Sequence, residues 1–402
     1  MNSQQKVIPG LLAIGLGFGC AGQQQQQDAK APEPKVTQVK VGNISPVDLA
    51  VCFPKAPALP DKINKSVLTG LLVSSQPLVM ECLVDPKHRG PADATEFTIE
   101  STLEGGKLTH KVTGTNLTPD GEKCIGAAVD RFVASAPDWS AKATATTTSV
   151  TAKSFPFQHN ATSMPAVKMG TSEASDAAGT IRLAQSTFCD CYAAWKDSEP
   201  GELKASVKVT KNAAPVVTFD ASTDATATQV AACLQPKVSA LPLKTTSDEV
   251  TAPYTFFFAN SMGTGMFTNA KPAMAFMQYD AVRTQTFGAS LVADGSRLVA
   301  AEAYEALVQQ YKKESKSVTI KQLQDGCDGL LKGHDGYIAA LEKQLAVEEQ
   351  AVAMLTDFAA KDASWAPVKE ATAQQPGQTK KDLETAKATR AEDAATCAKL
   401  KI

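Results

Sequence analysis

Nine cysteines and four histidines are the residues of this 402-residue chain that could do covalent or metal chemistry. Clustered thiolates and imidazoles bind metals, whereas paired thiols form disulfides in oxidising compartments. The four histidines form no His-Glu-x-x-His pattern, and none stands beside a cysteine at metal-ligand spacing: His88, His110, His159 and His334. We therefore expect surface histidines, no metal site, no cofactor and no catalytic residue among them.

The spacing of the cysteines predicts a duplicated, disulfide-linked body. Eight cysteines, all except Cys20, lie beyond the N-terminal region, and an even set is typical of an exported chain. The step from Cys82 to Cys124 is 42 residues, and the step from Cys191 to Cys233 is also 42. These matching steps predict one disulfide in each of two repeated units.

The remaining four cysteines predict two further disulfides. Cys327 and Cys397 are isolated in the C-terminal region, so we expect them to pair. Elimination then leaves Cys52 for Cys189, although eight cysteines allow many pairings. The alternative for Cys189 is a reactive or metal-binding pair with Cys191, two residues away. Structural disulfides are favoured, because the set is even and the chain is predicted to be exported.

The N-terminus predicts a lipoprotein signal peptide over residues 1–19. An apolar run from Val7 to Gly19 is shorter than the roughly 20 residues that span a bilayer, but it fits a secretory signal. Gly19 precedes Cys20, which we expect to be lipidated, although Gly17 stands where a lipobox usually has an aliphatic residue. Ordinary secretion, or a retained anchor helix with Cys20 as a free thiol, is the alternative.

A polar tether follows over residues 20–42. Gln23 to Gln27 and the prolines after them cannot bury enough apolar surface to fold. Ala21 after the cysteine favours the outer membrane. The net charge is −2, which gives no electrostatic reason to expect nucleic acid as a partner. The expected partners are the membrane, through the lipid anchor, and an envelope protein or peptidoglycan.

The two repeated units are predicted over residues 43–160 and 161–262. Each reads as a helix ending at a cysteine, a two-stranded hairpin, a helix with the second cysteine, and a closing strand. Alternating apolar residues predict the first strand of each hairpin, and glycine or asparagine predicts the turns: Phe97, Ile99, Gly105, Gly106, Val207, Val209 and Asn212. We expect Asp61 to cap the first helix, Pro77 to kink or break it, and residues 176–195 to form its counterpart.

This cysteine-flanked pattern resembles the AgmX/PglI C-terminal family of envelope proteins from gliding bacteria, which is similar to the C-terminal domain of TonB-type energy transducers. The second unit carries the resemblance through Cys191-Tyr192, Pro200, Val207 to Val209, Val216 to Phe219, Ser222-Thr223, Cys233-Leu234 and Phe256 to Phe258. It departs at Leu241-Pro242, where the family has Phe-Pro. The resemblance covers about half of the chain. It implies TonB-like modules, an envelope location and a link to gliding motility.

Residues 263–402 are predicted to form a helical domain. Apolar residues step by three and four along one segment, with one acidic break: Ile338, Leu341, Leu345, Glu348, Val352, Leu355 and Ala359. This stripe predicts the core of a helical bundle, and a partner-binding coiled coil is the alternative. Thr379 and Asp382 resemble a capping box for a last helix, which Pro376-Gly377 separates from the preceding one.

These features predict an α+β protein that is not an enzyme. We expect a cell-envelope lipoprotein that acts as a scaffold or a binding component, because phosphate-loop, metal-hydrolase and serine-hydrolase signatures do not occur in the sequence. The alternative is an exported hydrolase whose site is assembled from residues far apart in the chain.

Overall fold

The computed structural model describes residues 47–90, 94–153, 157–160, 170, 172–196, 202–262 and 272–400. Within these residues the chain contains two β-sheets and a C-terminal helical region, which confirms the α+β class. The predicted signal peptide, the tether and Cys20 lie outside the described residues. The side chain of His159 does so as well.

The first sheet has the strand order β3-β2-β4, and β5 also pairs with β2. Its central hairpin turns at Gly105 and Gly106, whose φ angles of 57° and 78° favour glycine. After β1 (Val47–Asp48), the elements are α1 (Lys65–Ser74), α2 (Gln76–Cys82), β2 (Ala94–Glu104), β3 (Lys107–Thr115), α3 (Pro119–Val133), α4 (Trp139–Ala145), β4 (Val150–Lys153) and β5 (Phe157–Asn160).

The start of the first helix differs from the prediction. Asn64, not Asp61, is the N-cap of α1, and its side chain accepts a hydrogen bond from the Val67 amide. Asp61 lies too far upstream to reach these amides and instead forms an ion pair with Lys142 of α4. Pro77 is compatible with the break between α1 and α2, because it occupies the first turn of α2.

The second sheet has the order β1-β8-β6-β7. Its elements are α5 (Glu173–Ala184), β6 (Glu202–Thr210), β7 (Val216–Phe219), α6 (Ala225–Ser239) and β8 (Glu249–Ala259). The helix predicted over residues 176–195 is wrong in its second half. There the chain forms 3-10 segments at Gln185–Thr187 and Cys189–Trp195, which place Tyr192 and Trp195 against Phe258 in the core.

Strand β1 joins the second sheet, although it lies within residues 43–160, the range predicted for the first unit. Val47 and Asp48 pair in parallel with Phe258 and Ala259 at the end of β8. Asp48 is half-buried, and its side chain accepts hydrogen bonds from the backbone amide and the hydroxyl of Ser261. The N-terminal end of the described chain is therefore attached to the second unit.

Four α-helices form the C-terminal region over the described residues 272–400. They are α7 (Pro272–Lys313), α8 (Ile320–Lys361), α9 (Ala366–Ala373) and α10 (Gln375–Ala398). Helix α8 lies antiparallel to α10, and ion pairs join them at Asp335–Arg390, Glu342–Lys387 and Glu349–Lys380. Each of the 42-residue helices α7 and α8 spans about 63 Å at 1.5 Å per residue.

Two predictions about this region are wrong in detail. Helix α10 begins at Gln375, so Pro376-Gly377 lies in its first turn, where proline is tolerated. Thr379 is buried and receives a hydrogen bond from Gln344 instead of capping a helix. The buried stripe of α8 is longer than predicted and includes polar residues: Leu323, Cys327, Leu330, His334, Leu341, Gln344, Glu348, Ala351 and Leu355.

The helical region is anchored to the first unit by close contact between α7 and α1. A Cβ atom on Gly288 would lie 2.0 Å from the Ser74 hydroxyl, and one on Gly70 would lie 2.5 Å from the Gly288 carbonyl. Asn64 donates a hydrogen bond of 2.8 Å to the carbonyl of Gly295, one heptad further along. Glycine allows the two backbones to approach this closely, so α7 is held rigidly against the body.

Candidate binding site

A cleft between strand β7 and helix α6 is the candidate functional site. It has a volume of about 460 Å³. Residues of β6, β7 and the loop after β7 line one side, and residues of α6 line the other: Leu203, Val217, Thr218, Phe219, Asp220, Ala221, Ser222, Ala227, Thr228, Ala231, Ala232 and Gln235.

The cleft exists because α6 has small residues where it faces β7. Ala227, Ala231 and Ala232 leave the space that larger side chains would fill. The Cys191–Cys233 disulfide holds α6 to the preceding 3-10 segment. Phe219 packs at 5.5 Å, centroid to centroid, on Phe256 of β8, so it forms a fixed apolar wall.

Strand β7 lies at the edge of its sheet, so part of its backbone faces the cleft. The Asp220 amide donates to the Lys204 carbonyl, which places Val217 and Phe219 at the positions that do not bond to β6. The Val217 carbonyl instead accepts a 3.3 Å hydrogen bond from the side-chain amide of Gln235. The edge therefore directs peptide groups toward α6.

The cleft is weakly charged. Asp220 is the one ionisable residue among the described residues that line it, and it is exposed. Val216, at the start of β7, is 58% exposed, the highest value among the large hydrophobic residues in the described part of the chain. An apolar floor, open backbone groups and a single carboxylate suit binding better than acid–base chemistry.

In the first unit, a histidine bridges the edge strand β3 and the helix α3. His110 of β3 shares a hydrogen bond of 2.7 Å with the buried Ser101 hydroxyl, and its other nitrogen lies 3.0 Å from the Asp130 carboxylate on α3. The ring lies beside Gly126 of α3, where an added Cβ atom would be 3.8 Å from the His110 Cδ2 atom. The prediction that His110 is a surface residue is wrong, because its side chain is only 7% exposed.

This Ser-His-Asp chain has the residue types of a hydrolase triad but not the access. A nucleophilic serine must reach a substrate carbonyl, whereas Ser101 is 0% exposed in the central strand of its sheet. His110 instead connects β3 to α3. The contact therefore braces the first unit, and it gives no support to the hydrolase alternative.

The side chains of His334 and His88, which were also predicted to lie on the surface, are buried and half-buried, respectively. His334 is 1% exposed and bonds through Nε2 to the Asp393 carboxylate at 2.8 Å, so the surface prediction is wrong for it too. His88 is half-buried and forms a 2.7 Å hydrogen bond with the Cys82 carbonyl. Helix packing buries these rings, which is a tertiary effect that local sequence does not reveal.

All eight body cysteines are paired in the structure. The pairs are Cys52–Cys189, Cys82–Cys124, Cys191–Cys233 and Cys327–Cys397, the same pairs that the sequence predicted. Asp190, Cys191 and Cys233 have ligand atoms close enough for a metal, but both sulfurs are oxidised. Asp190 pairs with Lys237 at 3.0 Å, and a hydrogen bond from that lysine lowers the pKa of the carboxyl.

A buried ion pair joins the two units. Arg182 of α5 donates two hydrogen bonds of 2.7 Å to the Glu81 carboxylate of α2. The guanidinium is 3% exposed and the carboxylate 16%. Burial is the largest influence and lowers the pKa of Arg182, but the charge and the hydrogen bonds of Glu81, together with the nearby tyrosines, outweigh it, so the pKa is raised. The pair fixes the two units in one relative orientation.

Sequence reasoning missed the cleft residues. The signals that could have identified them are the short strand after Pro215 and the alanines spaced by four on α6. Comparisons with family models, curated proteins and solved structures found no match to this chain. Among the described residues, no helix is both long enough and apolar enough to cross a membrane.

Proposed function

We propose that this protein is a non-enzymatic lipoprotein of the cell envelope that acts as a scaffold and binds a protein partner. The observation that carries the proposal is the cleft between β7 and α6, which combines an open sheet edge and an apolar floor with a single carboxylate. Such a site can bind a ligand through complementary shape and backbone hydrogen bonds, but it does not position an acid and a base for catalysis.

Rigidity of the body supports a scaffold role. Disulfides link the helices of each unit, and a further one links the N-terminal segment to the second unit. The Glu81–Arg182 pair and the close α1–α7 contact fix the units and the helical region to one another. A partner bound to one unit is therefore held at a defined position relative to the other unit and to the helical region.

The proposal includes duplicated modules of the TonB C-terminal type. Both units have a hairpin, a helix that carries the second cysteine of a 42-residue step, and a closing strand antiparallel to the first hairpin strand. These shared features support duplication. A role in an envelope or gliding-motility machine rests on the family resemblance alone.

Cys20 is the proposed attachment point to the outer membrane. Four disulfides indicate an oxidising compartment outside the cytoplasm. We expect Cys20→Ala to abolish lipidation, and we expect globomycin, which inhibits lipoprotein signal peptidase, to accumulate the unprocessed wild-type chain. Palmitate labelling and membrane fractionation measure both effects. Normal processing of Cys20→Ala into a soluble mature protein would contradict the assignment.

A cross-linking experiment tests the binding function. Tagged full-length protein is cross-linked in intact cells with a cleavable amine reagent, solubilised in detergent and purified. We expect one or a few envelope proteins to be enriched over a control membrane lipoprotein that carries the same tag. Absence of enrichment, together with hydrolysis of ester, peptide or glycan substrates by the purified protein, would favour the hydrolase alternative.

A further inference from the structure

We propose that the end of the α7–α8 hairpin binds the surface of an anionic phospholipid bilayer. This end, the basic tip, comprises residues 312–321 and Lys399. The proposed contact is separate from the lipid anchor at Cys20 and from the cleft, because the tip belongs to the helical region. Charge, position and one exposed aliphatic side chain each support one part of the proposal.

The tip carries positive charge in a chain that is negative overall. Residues 312–321 contain four lysines and one glutamate, a net charge of +3, whereas the whole chain has a net charge of −2. All four lysines are exposed, and Lys312, Lys313 and Lys316 form no salt bridge with the described residues. Because these charges are not neutralised within the described protein, they are available to an external anion.

A fifth lysine lies at the same end because α10 is held to α8. The Cys327–Cys397 disulfide joins the two helices near the tip, and the Gln324 side-chain amide donates to the Leu400 carbonyl at 3.5 Å. Lys399 is exposed beside this contact. The ends of three helices therefore group lysines at one end of the helical region.

Helix stabilisation alone does not explain these lysines. Lys312 and Lys313 lie in the last turn of α7, where a cation interacts favourably with the helix dipole. Lys321 lies in the first turn of α8, where the dipole disfavours a cation, and that turn has no acidic residue. Its pair with Asp325 has the less favourable order for positions i and i+4. An external anion would offset this unfavourable placement.

The tip projects beyond the body of the protein. Lys62 of the first unit pairs with Glu302 of α7 at 3.7 Å. At 1.5 Å per residue, Lys313 lies about 16 Å further along α7. The loop between the helices is held in a turn, since the Ser317 amide and hydroxyl both donate to the Glu314 carbonyl, at 2.9 and 2.7 Å. A protruding end of fixed shape can contact a flat surface such as a bilayer.

The side chains of the tip favour a bilayer over a soluble polyanion. Its cations are all lysines, which attract a charged plane as flexible point charges, whereas bidentate recognition of a defined anion favours arginine. Ile320 lies among these lysines and is 40% exposed. An exposed aliphatic side chain beside lysines can enter the boundary between lipid headgroups and acyl chains, which a soluble polyanion does not offer.

Vesicle sedimentation tests the proposal. The full chain with Cys20→Ala is used, so that the proposed lipid does not anchor every variant. We expect this chain to bind phosphatidylcholine vesicles that contain about one third phosphatidylglycerol at least about tenfold more tightly than vesicles of phosphatidylcholine alone. The difference should disappear above about 0.5 M salt. The neutral vesicles also measure any contribution of the apolar residues 7–19.

Lysine variants locate the contact. Lys313→Gln/Lys316→Gln should weaken binding to the anionic vesicles by roughly thirtyfold, since each lysine near such a surface contributes about fivefold. Lys332→Gln/Lys343→Gln removes the same charge from exposed positions of α8 outside the tip and should change binding less than about twofold. Circular dichroism checks that both variants fold like the unchanged chain.

Substitution of Ile320 distinguishes a bilayer from a soluble polyanion. Tryptophan favours the membrane interface, so Ile320→Trp should strengthen binding to the anionic vesicles several-fold and leave binding to soluble polyphosphate unchanged. Ile320→Ser should weaken binding to the vesicles alone, because it removes the aliphatic contact but no charge.

The outcomes separate this proposal from the scaffold function. Equal or absent binding to neutral and anionic vesicles would overturn it, as would a tip variant that binds like the unchanged chain or a control variant that loses as much. Binding to polyphosphate without binding to anionic vesicles would overturn the choice of partner. None of these results bears on the scaffold function, which the cross-linking experiment tests, because the variants leave the cleft intact.

Discussion

Replacing Arg182 with alanine is expected to lower the free energy of unfolding by about 3–5 kcal/mol. The change leaves the Glu81 carboxylate without its bidentate partner at a site where only 16% of that side chain is exposed. An unpaired buried charge costs far more than the pair contributes when intact. Urea denaturation with the disulfides intact measures the effect.

Two controls identify the cause of that loss. The double variant Glu81→Leu/Arg182→Met removes both charges together and should recover most of the stability. Lys380→Ala breaks the pair with Glu349, in which both side chains are about half exposed, and should cost less than about 1 kcal/mol. A double variant as unstable as Arg182→Ala would show that packing, rather than the unpaired charge, is responsible.

Removal of the Cys52–Cys189 disulfide is expected to have the second large effect. The bond closes a loop of 137 residues, and the chain-entropy model gives about 4–5 kcal/mol for a loop of this length. Cys52→Ala/Cys189→Ala should therefore lower the denaturation midpoint strongly. It should also loosen Val47 and Asp48, whose strand is only two residues long.

Hydrogen exchange distinguishes a local effect from a global one. We expect faster exchange around residues 47–51 under native conditions in the Cys52/Cys189 variant. Removing Cys327–Cys397, which joins α8 to α10 far along the chain, should lower stability without changing exchange at residues 47–51. Unchanged protection of β1 in the first variant would show that the disulfide is not what retains this strand.

Local patterns were sufficient to predict much of the fold. Equal cysteine steps identified the pairs in both units, and alternation at Phe97 and Ile99 identified the first central strand. The helix caps were less accurate, because several polar residues precede each helix. Asp61 and Asn64 both fit the cap of α1, and only the backbone path places Asn64 within reach of Val67.

Contacts between distant segments could not be read from the sequence. The pairing of β1 with β8 joins residues more than 200 positions apart, and a two-residue strand carries no periodicity. His334 lies where α10 packs against α8, and its ring bonds to Asp393 of α10. The cleft depends in the same way on where α6 lies relative to β7, and small residues such as Ala231 also occur on helices without a cleft.

The covalent attachment of Cys52 has a mechanical consequence for a protein tethered through its N-terminus. Tension on the proposed tether would enter the body at Val47 and could peel β1 from β8 and Asp48 from Ser261. Unravelling would stop at Cys52, because its bond to Cys189 carries the load directly into the second unit. Only residues 47–51 precede Cys52 in the described chain, and this segment reaches about 17 Å when it is fully extended. A pull from the membrane would thus lengthen the tether slightly while β8, β6 and the cleft beside β7 keep their shape.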